Sequence, residues 1–351
     1  MSSCPSFALT PLIETVPTAA TPAGFVPAMA WLLAQCCSLT YSQWDSGLNV
    51  PLNLSTLQLT SGGSGNLTLT NIQPFQVSES NGPAAATGDV GAFSTEAAGF
   101  GVVISQNAGT VVPNTPAEFV VIALRGTQSW DEWFDDARAI PAYFGKTAGS
   151  IHAGFYSYYV VGTDGVPVKS GVDPIDPTPA NRAPGSIAAQ VAAYVSGLTS
   201  PLPIFVTGHS LGGAIASLCA LDIAMNFSAH ASAVSMYNFA SPRVAVGAIA
   251  TIGTFPIDIG SAQAFLQLYQ GKVPQSFRIV HECDIVPILP MTTMTFGSLV
   301  VEAAHVTDAW SYGGSNGSLA QNVLNFCAQT GDVACNHSCL SVYLPYVTSL
   351  V

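Results

Sequence analysis

Apolar positions along this chain recur with two periods, and the switches between them outline the elements. Helical spacing begins near Val26 and runs through Trp31, Leu32, Gln35 and Cys36 to about Tyr41. Residues 46–80 are rich in Ser, Thr, Gly and Asn and carry short alternating runs (LSTLQLT, NLTLTNI), which predict short strands joined by turns. Two β-branched apolar runs, FGVVIS (100–105) and EFVVIALRG (118–126), predict neighbouring strands. Apolar residues at Ile187, Val191, Tyr194, Val195 and Leu198 predict a helix. PIFVTG (203–208) is a third strand, LGGAIASLCALDIAMNF (211–227) a long helix, AVSMYNFA (233–240) a fourth strand and FRIVHECD (277–284) a fifth. Strands with few polar breaks, alternating with helices of ten residues or more, predict an α/β fold. Its central sheet would be mainly parallel and covered by helices on both faces. Residues 1–25, rich in Pro, Thr and Ala, form an N-terminal extension, and 163–186, with five prolines from Pro167 to Pro184, a surface insertion. With the motifs lying on both sides of that insertion, 1–351 is expected to be a single domain.

Composition narrows the function. Lys and Arg number 8 against 20 Asp and Glu, giving a formal net charge of −12. Only 8% of residues are charged, against about 25% in ordinary globular proteins. With 49% hydrophobic residues the chain is not a disordered one. No Lys or Arg precedes Arg125, which argues against nucleic-acid binding and against attraction to anionic lipid headgroups. No stretch approaches roughly 18 uninterrupted apolar residues, so no transmembrane segment is expected. The first residues, MSSCPSFALTPLIETVP, lack the positive start of a secretory signal. Eight cysteines permit disulfides without requiring them, and five N-x-S/T sequons begin at Asn53, Asn66, Asn226, Asn316 and Asn336.

The sharpest chemical signal is GHSLGG, Gly208 to Gly213, set between a predicted strand and a predicted helix. G-x-S-x-G in that setting is a nucleophile elbow. The turn presents the Ser210 hydroxyl at the carboxyl edge of the sheet, and the helix N-terminus aims N–H groups at developing negative charge. A serine needs a base and an orienting acid, in the chain order Ser, acid, His. Among the downstream acids Asp284 stands out, because it ends a buried-looking strand where ligand sites of open α/β sheets lie; a turn-starting residue ahead of VPILP is the equal alternative. Of the downstream histidines, His230 ends the long helix and is expected to be solvated, and His281 lies within a strand and is expected to pack. His305 and His337 both come late enough, and the loop Cys-Asn-His-Ser-Cys favours His337. An oxyanion hole needs one N–H from Leu211 and a second donor from the loop after an early strand, for which Thr127 is the candidate.

Together these segments resemble the class 3, fungal-type triacylglycerol lipases. The matching pieces are RGT at 125–127, HAGF at 152–155, GHSLGG at 208–213, HECDIVPILP at 281–290, and His337 followed by Tyr343. The resemblance implies an α/β-hydrolase fold, a triad of Ser210, Asp284 and His337, an oxyanion hole of Thr127 and Leu211, and a structural His305-Val306 pair. It also implies secretion. His281 in place of the usual Asn, Asn336 where an Asp is common, and long stretches at 163–186 and 291–330 depart from the pattern.

SWDEWFDDAR (129–138) places Trp130, Trp133, Phe134 and Ala137 at i, i+3, i+4 and i+7, one face of a short helix. Trp133 and Asp136 fall where the family carries a lid Trp and its following Asp, so a lid over the site is expected; an ordinary amphipathic surface helix is the alternative. Cys335, His337 and Cys339, with Cys327 upstream, lack paired zinc spacing, so no metal or cofactor is expected. A Cys335–Cys339 or Cys327–Cys335 disulfide is the expectation there. The function implied is hydrolysis of acylglycerol esters at an oil–water interface. Phospholipase A1, feruloyl-type and short-chain carboxylesterase activities are alternatives on the same scaffold, and an inactive fold used as a binding module a remote one.

Overall fold

A computed structural model describes residues 21–45, 67–78, 95–106, 116–126, 141–147, 149–162, 173–252, 255–281, 283–296, 298–312 and 337–351. The chain enters through helix α1 (Pro27–Asp45), followed by strands β1 (Leu67–Ser78), β2 (Thr95–Gln106) and β3 (Glu118–Leu124). Strands β4 (Pro141–Tyr143) and β5 (Ser150–His152) precede helices α2 (Ala153–Val160) and α3 (Ile187–Ser196). Strand β6 (Ile204–His209) leads into α4 (Leu211–Asn226) and β7 (Val234–Phe239). Then come β8 (Ala245–Ile252), β9 (Phe255–Gly260), α5 (Ala262–Lys272) and β10 (Gln275–His281). The last elements are β11 (Thr293–Phe296), β12 (Leu299–Ala304), β13 (Ala309–Tyr312) and α6 (Leu344–Thr348).

The main sheet runs β1-β2-β3-β6-β7-β10-β13. Its last five strands are mutually parallel, while β1 and β2 add antiparallel at one edge. Strand periodicity explains the layers on either side. Val120, Ile122 and Leu124 of β3 join the core beneath α2, α3, α4 and α5, and the intervening Phe119, Val121 and Ala123 join a second core beneath α1 and α6. A strand flanked by helices on both faces has no polar side to show, hence the near-unbroken apolar runs. Helix α4 is buried from Leu211 through Ala224, which accounts for its lack of a polar face. This is the α/β-hydrolase architecture.

A second, six-stranded sheet was not expected from the sequence. It runs β11-β12-β8-β5-β4, with β9 also on β8. Its strands belong to three connections that follow β3, β7 and β10 of the main sheet. They are short or rich in small residues (AVGAIATI, TMTF), so the period-two signal there is faint.

The C-terminal half of the Pro-rich stretch is fastened to the core. Arg182 Nε donates to the Asp176 carbonyl at 2.6 Å, and its guanidinium grips Asp222 of α4 at 2.5 and 2.8 Å. Tyr159 and Asn226 donate to the same carboxylate at 2.6 and 2.8 Å. Four donors satisfy one fully buried carboxylate.

Candidate active site

Ser210 occupies the single residue between β6 and α4, with φ 60° and ψ −131°. That is a left-handed conformation a non-glycine residue adopts only when its surroundings enforce it. The enforcement is visible in the flanking glycines. A Cβ on Gly208 would collide with the Gly212 carbonyl, and one on Gly212 with the Leu124 carbonyl of β3. The sharp turn brings α4 hard against two parallel strands and leaves its N-terminus, beginning at Leu211, behind the serine. The first N–H groups of a helix have no partner within it, so this end offers donors to an anion.

Asp284 sits just past the carboxyl end of β10 and is fully buried. Its Oδ1 accepts from the Val286 N–H at 2.9 Å. Its Oδ2 accepts from His337 Nδ1 at 2.7 Å and from the Tyr343 hydroxyl at 2.7 Å. The Tyr343 oxygen in turn accepts from the His281 backbone N–H at 3.0 Å, tying the tyrosine to the strand end. Tyr343 ends a π-helical turn over Cys339–Tyr343 that carries the His337 loop back across the sheet edge. The contact between Asp284 and His337 therefore closes 53 residues of chain.

The His337 loop is docked at the nucleophile's neighbour. His209 Nε2 lies 2.7 Å from the His337 carbonyl, and the two imidazoles stand 4.5 Å apart. Burial pushes His209 well below the ordinary 6.5, and the nearby His337 adds to the shift. A neutral His209 follows. Its Nδ1 lies 2.8 Å from the Tyr41 hydroxyl of α1.

Known sequences match the stretch that holds the serine turn and the buried carboxylate. The profile of the family described as Lipase (class 3) covers residues 121–294. The chain belongs to that family. The chain is 39% identical over 87 residues to a Caenorhabditis elegans protein named Lipase ZK262.3, 25% of this chain and 20% of the relative. It is 28% identical over 194 residues to the secreted mono- and diacylglycerol lipase A of Penicillium cyclopium, 55% of this chain and 50% of the relative. A chloroplastic phospholipase A(1), DAD1 of Arabidopsis thaliana, is 26% identical over 174 residues, 49% of this chain and 33% of the relative. The chain thus spans between a fifth and a half of these relatives' lengths.

Of the residues singled out in the sequence, Asp284 and His337 are in contact, and His337 docks on His209, which directly precedes Ser210 and Leu211 at the carboxyl end of β6. Thr127 and the lid candidates Trp130, Trp133 and Phe134 lie outside the described residues, as do Cys327 and Cys335. His305 is engaged elsewhere: its Nε2 lies 2.7 Å from the Pro287 carbonyl, and burial drives it well below 6.5.

Two expectations are corrected. His230 is buried, with Nδ1 3.0 Å from the Leu202 carbonyl, because the chain folds back under β6 after α4. Cys339 is a free thiol packed against α1, so a Cys335–Cys339 disulfide is not formed. It is Cys283, beside Asp284, that is disulfide-bonded. The positions of Tyr41 and His209 in the site were missed in the sequence. His209 lies inside the elbow motif, whose signal is carried by Ser210 and its glycines, and Tyr41 carries no local signal at all. Among the described residues no helix is long and apolar enough to cross a membrane, and no three His, Cys, Asp or Glu cluster as metal ligands.

Proposed function

We propose that this class 3 lipase hydrolyses carboxylic ester bonds of acylglycerols through Ser210, His337 and Asp284. The observation that supports it most is the network behind the serine. One carboxylate takes three donors and leaves His337 presented by a loop clamped to the residue next to Ser210. Nδ1–H donates to Asp284, which makes Nε2 the basic nitrogen of His337. Nε2 takes the Ser210 proton as Oγ attacks the ester carbonyl. The imidazolium so formed is stabilised by Asp284, which is held in place by Val286 N–H and the Tyr343 hydroxyl. The backbone N–H groups of Leu211 and Thr127 receive the oxyanion, and each such donor contributes roughly 10²–10³ in rate. His337 then protonates the leaving alcohol, and water, activated by the same imidazole, releases the fatty acid.

The 129–138 segment serves as a lid that opens on an oil surface. The protein works outside the cytoplasm: a disulfide at Cys283 needs an oxidising compartment, and one relative is named as secreted. A second reading, phospholipase A1, is favoured by the plant relative's name.

Hydrolysis of p-nitrophenyl and glycerol esters from C2 to C16, below and above the solubility limit, tests these readings beside Ser210→Ala. A long-chain preference with a rate jump at the interface, abolished in Ser210→Ala, is expected. Activity confined to short soluble esters would reduce the protein to an esterase. Fatty acid released faster from phosphatidylcholine than from triacylglycerol would favour the phospholipase. No Ser210-dependent hydrolysis would sink the assignment.

A further inference from the structure

Helix α1 lies along β6 so that two residues four apart meet two residues two apart. Cys37 Sγ is 3.3 Å from the Thr207 hydroxyl, and Tyr41 Oη is 2.8 Å from His209 Nδ1. The match is geometric. Four helical residues advance about 6.0 Å and two strand residues about 6.6 Å, so the helix stays in step with the strand up to the nucleophile. The helix thereby delivers a phenol to the residue preceding Ser210.

The proton positions in this chain of contacts follow from its ends. The His337 carbonyl can only accept, so His209 Nε2, 2.7 Å away, carries the hydrogen. In a neutral ring Nδ1 is then an acceptor, so Tyr41 donates to it. The phenol oxygen also lies against Gly126, where an added Cβ would collide with it. Gly126 in turn lies flush against the elbow. A Cβ there would come within 2.6 Å of the His209 carbonyl oxygen and 2.9 Å of the Ser210 Cβ. The hydrogen bonds thus run from Tyr41 to His209 and from His209 to the His337 carbonyl, with Gly126 packed against the phenol at the other end.

We propose that Tyr41 is a positioning residue that, through His209, holds the oxyanion loop and the base loop in one register on either side of Ser210. The inference rests on the ester-hydrolase reading above. One end of the chain is the residue before Thr127, the second oxyanion donor of that reading. The other end is the residue that carries the base. Neither Tyr41 nor His209 touches the ester. Each acts by keeping groups on separate loops within the fraction of an ångström that acyl transfer tolerates. The aromatic ring is not the operative part: Tyr41 and His209 rings meet edge-on at 5.8 Å, a contact phenylalanine would keep.

The test is Tyr41→Phe, His209→Gln and the double variant, assayed on p-nitrophenyl butyrate below its solubility limit. Rates are taken per serine titrated with a phosphonate, so misfolded protein does not count, and melting temperatures are recorded. Wild type and Ser210→Ala run alongside. The expected result for Tyr41→Phe is a kcat lower by about ten-fold, within the range that a sub-ångström misplacement costs, with KM changed less than two-fold. The double variant should lose no more than the worse single one, because either break interrupts the same chain. An unchanged kcat per titrated serine, a loss expressed in KM, or losses that multiply in the double variant would each overturn the inference. Wild-type hydrolysis that does not depend on Ser210 would instead overturn the ester-hydrolase reading, and this inference with it.

Discussion

Asp222 and Asp284 are both fully buried carboxylates, and each accepts a hydrogen bond from a tyrosine hydroxyl, Tyr159 in one case and Tyr343 in the other. Their ion-pair partners part them. Asp222 faces the forked guanidinium of Arg182, which stays charged at every pH a protein survives. Asp284 faces the imidazole of His337, which in the proposed reaction takes up a proton from Ser210 and passes it on. The first pair is a brace: it pins the 173–182 segment to α4. In the proposed mechanism the second is a moving part, since its carboxylate matters most when the imidazole is charged. Location agrees with chemistry. Asp222 lies in the body of a helix under the sheet, and Asp284 lies beyond a strand end, where loops converge. Burial and hydrogen bonding alone therefore do not mark out a candidate catalytic carboxylate; a partner able to carry a proton does.

The comparison would be broken most decisively at Asp284. Asp284→Asn keeps the shape and removes the charge, and kcat should fall by about 10⁴ with little change in melting temperature. A variant that unfolds while keeping its turnover would make Asp284 a brace like Asp222. The converse change, Asp222→Ala, leaves Arg182 buried without its counter-ion and should cost about 3–5 kcal/mol in denaturant unfolding. Turnover per folded molecule should stay near wild type, and a large loss there would mean that the brace reaches the site. The smallest effect concerns a third buried group. His152, at the start of α2, accepts from the Gly154 N–H at 3.2 Å and is held down at about 4 by burial. Between its unfolded value of 6.5 and that figure the unfolded chain binds the proton and the folded one does not. The stability concerned is complete above pH 6.5 and drains away as the pH falls towards 4, by at most ~1.4 kcal/mol per unit. His152→Asn, which retains a capping acceptor, should flatten the fall of melting temperature over that window. An unaltered slope would show that His152 is not its source.

The main sheet was legible because each of its strands carries its own signal. EFVVIAL and IFVTGH are apolar on both faces, and the helices beside them keep their period. The second sheet was not, since strands of three to eight residues such as PAY and AVGAIATI depend on partners far away in sequence. Within the site, the elbow is a local object and announces itself in six residues. The meeting of Asp284 with His337 is non-local, and only the order of motifs along the chain pointed to it. Tyr41 lies 168 residues from its partner on an ordinary-looking helix, and nothing in its neighbourhood distinguishes it from Tyr194 or Tyr269. The Arg182 brace hid for a related reason, as a lone Arg in a Pro-rich stretch looks like surface.

The second sheet has a bearing on how such a protein changes over time. Three loops that leave the carboxyl ends of β3, β7 and β10 are not free to vary separately, because their strands share one hydrogen-bonded ladder through β8. An insertion in one loop shifts the register that the other two rely on. Recombination that exchanges a single loop with a homologue should thus fail more often than exchange of all three together, and changes of substrate preference that require new loop lengths should arise as linked sets of mutations.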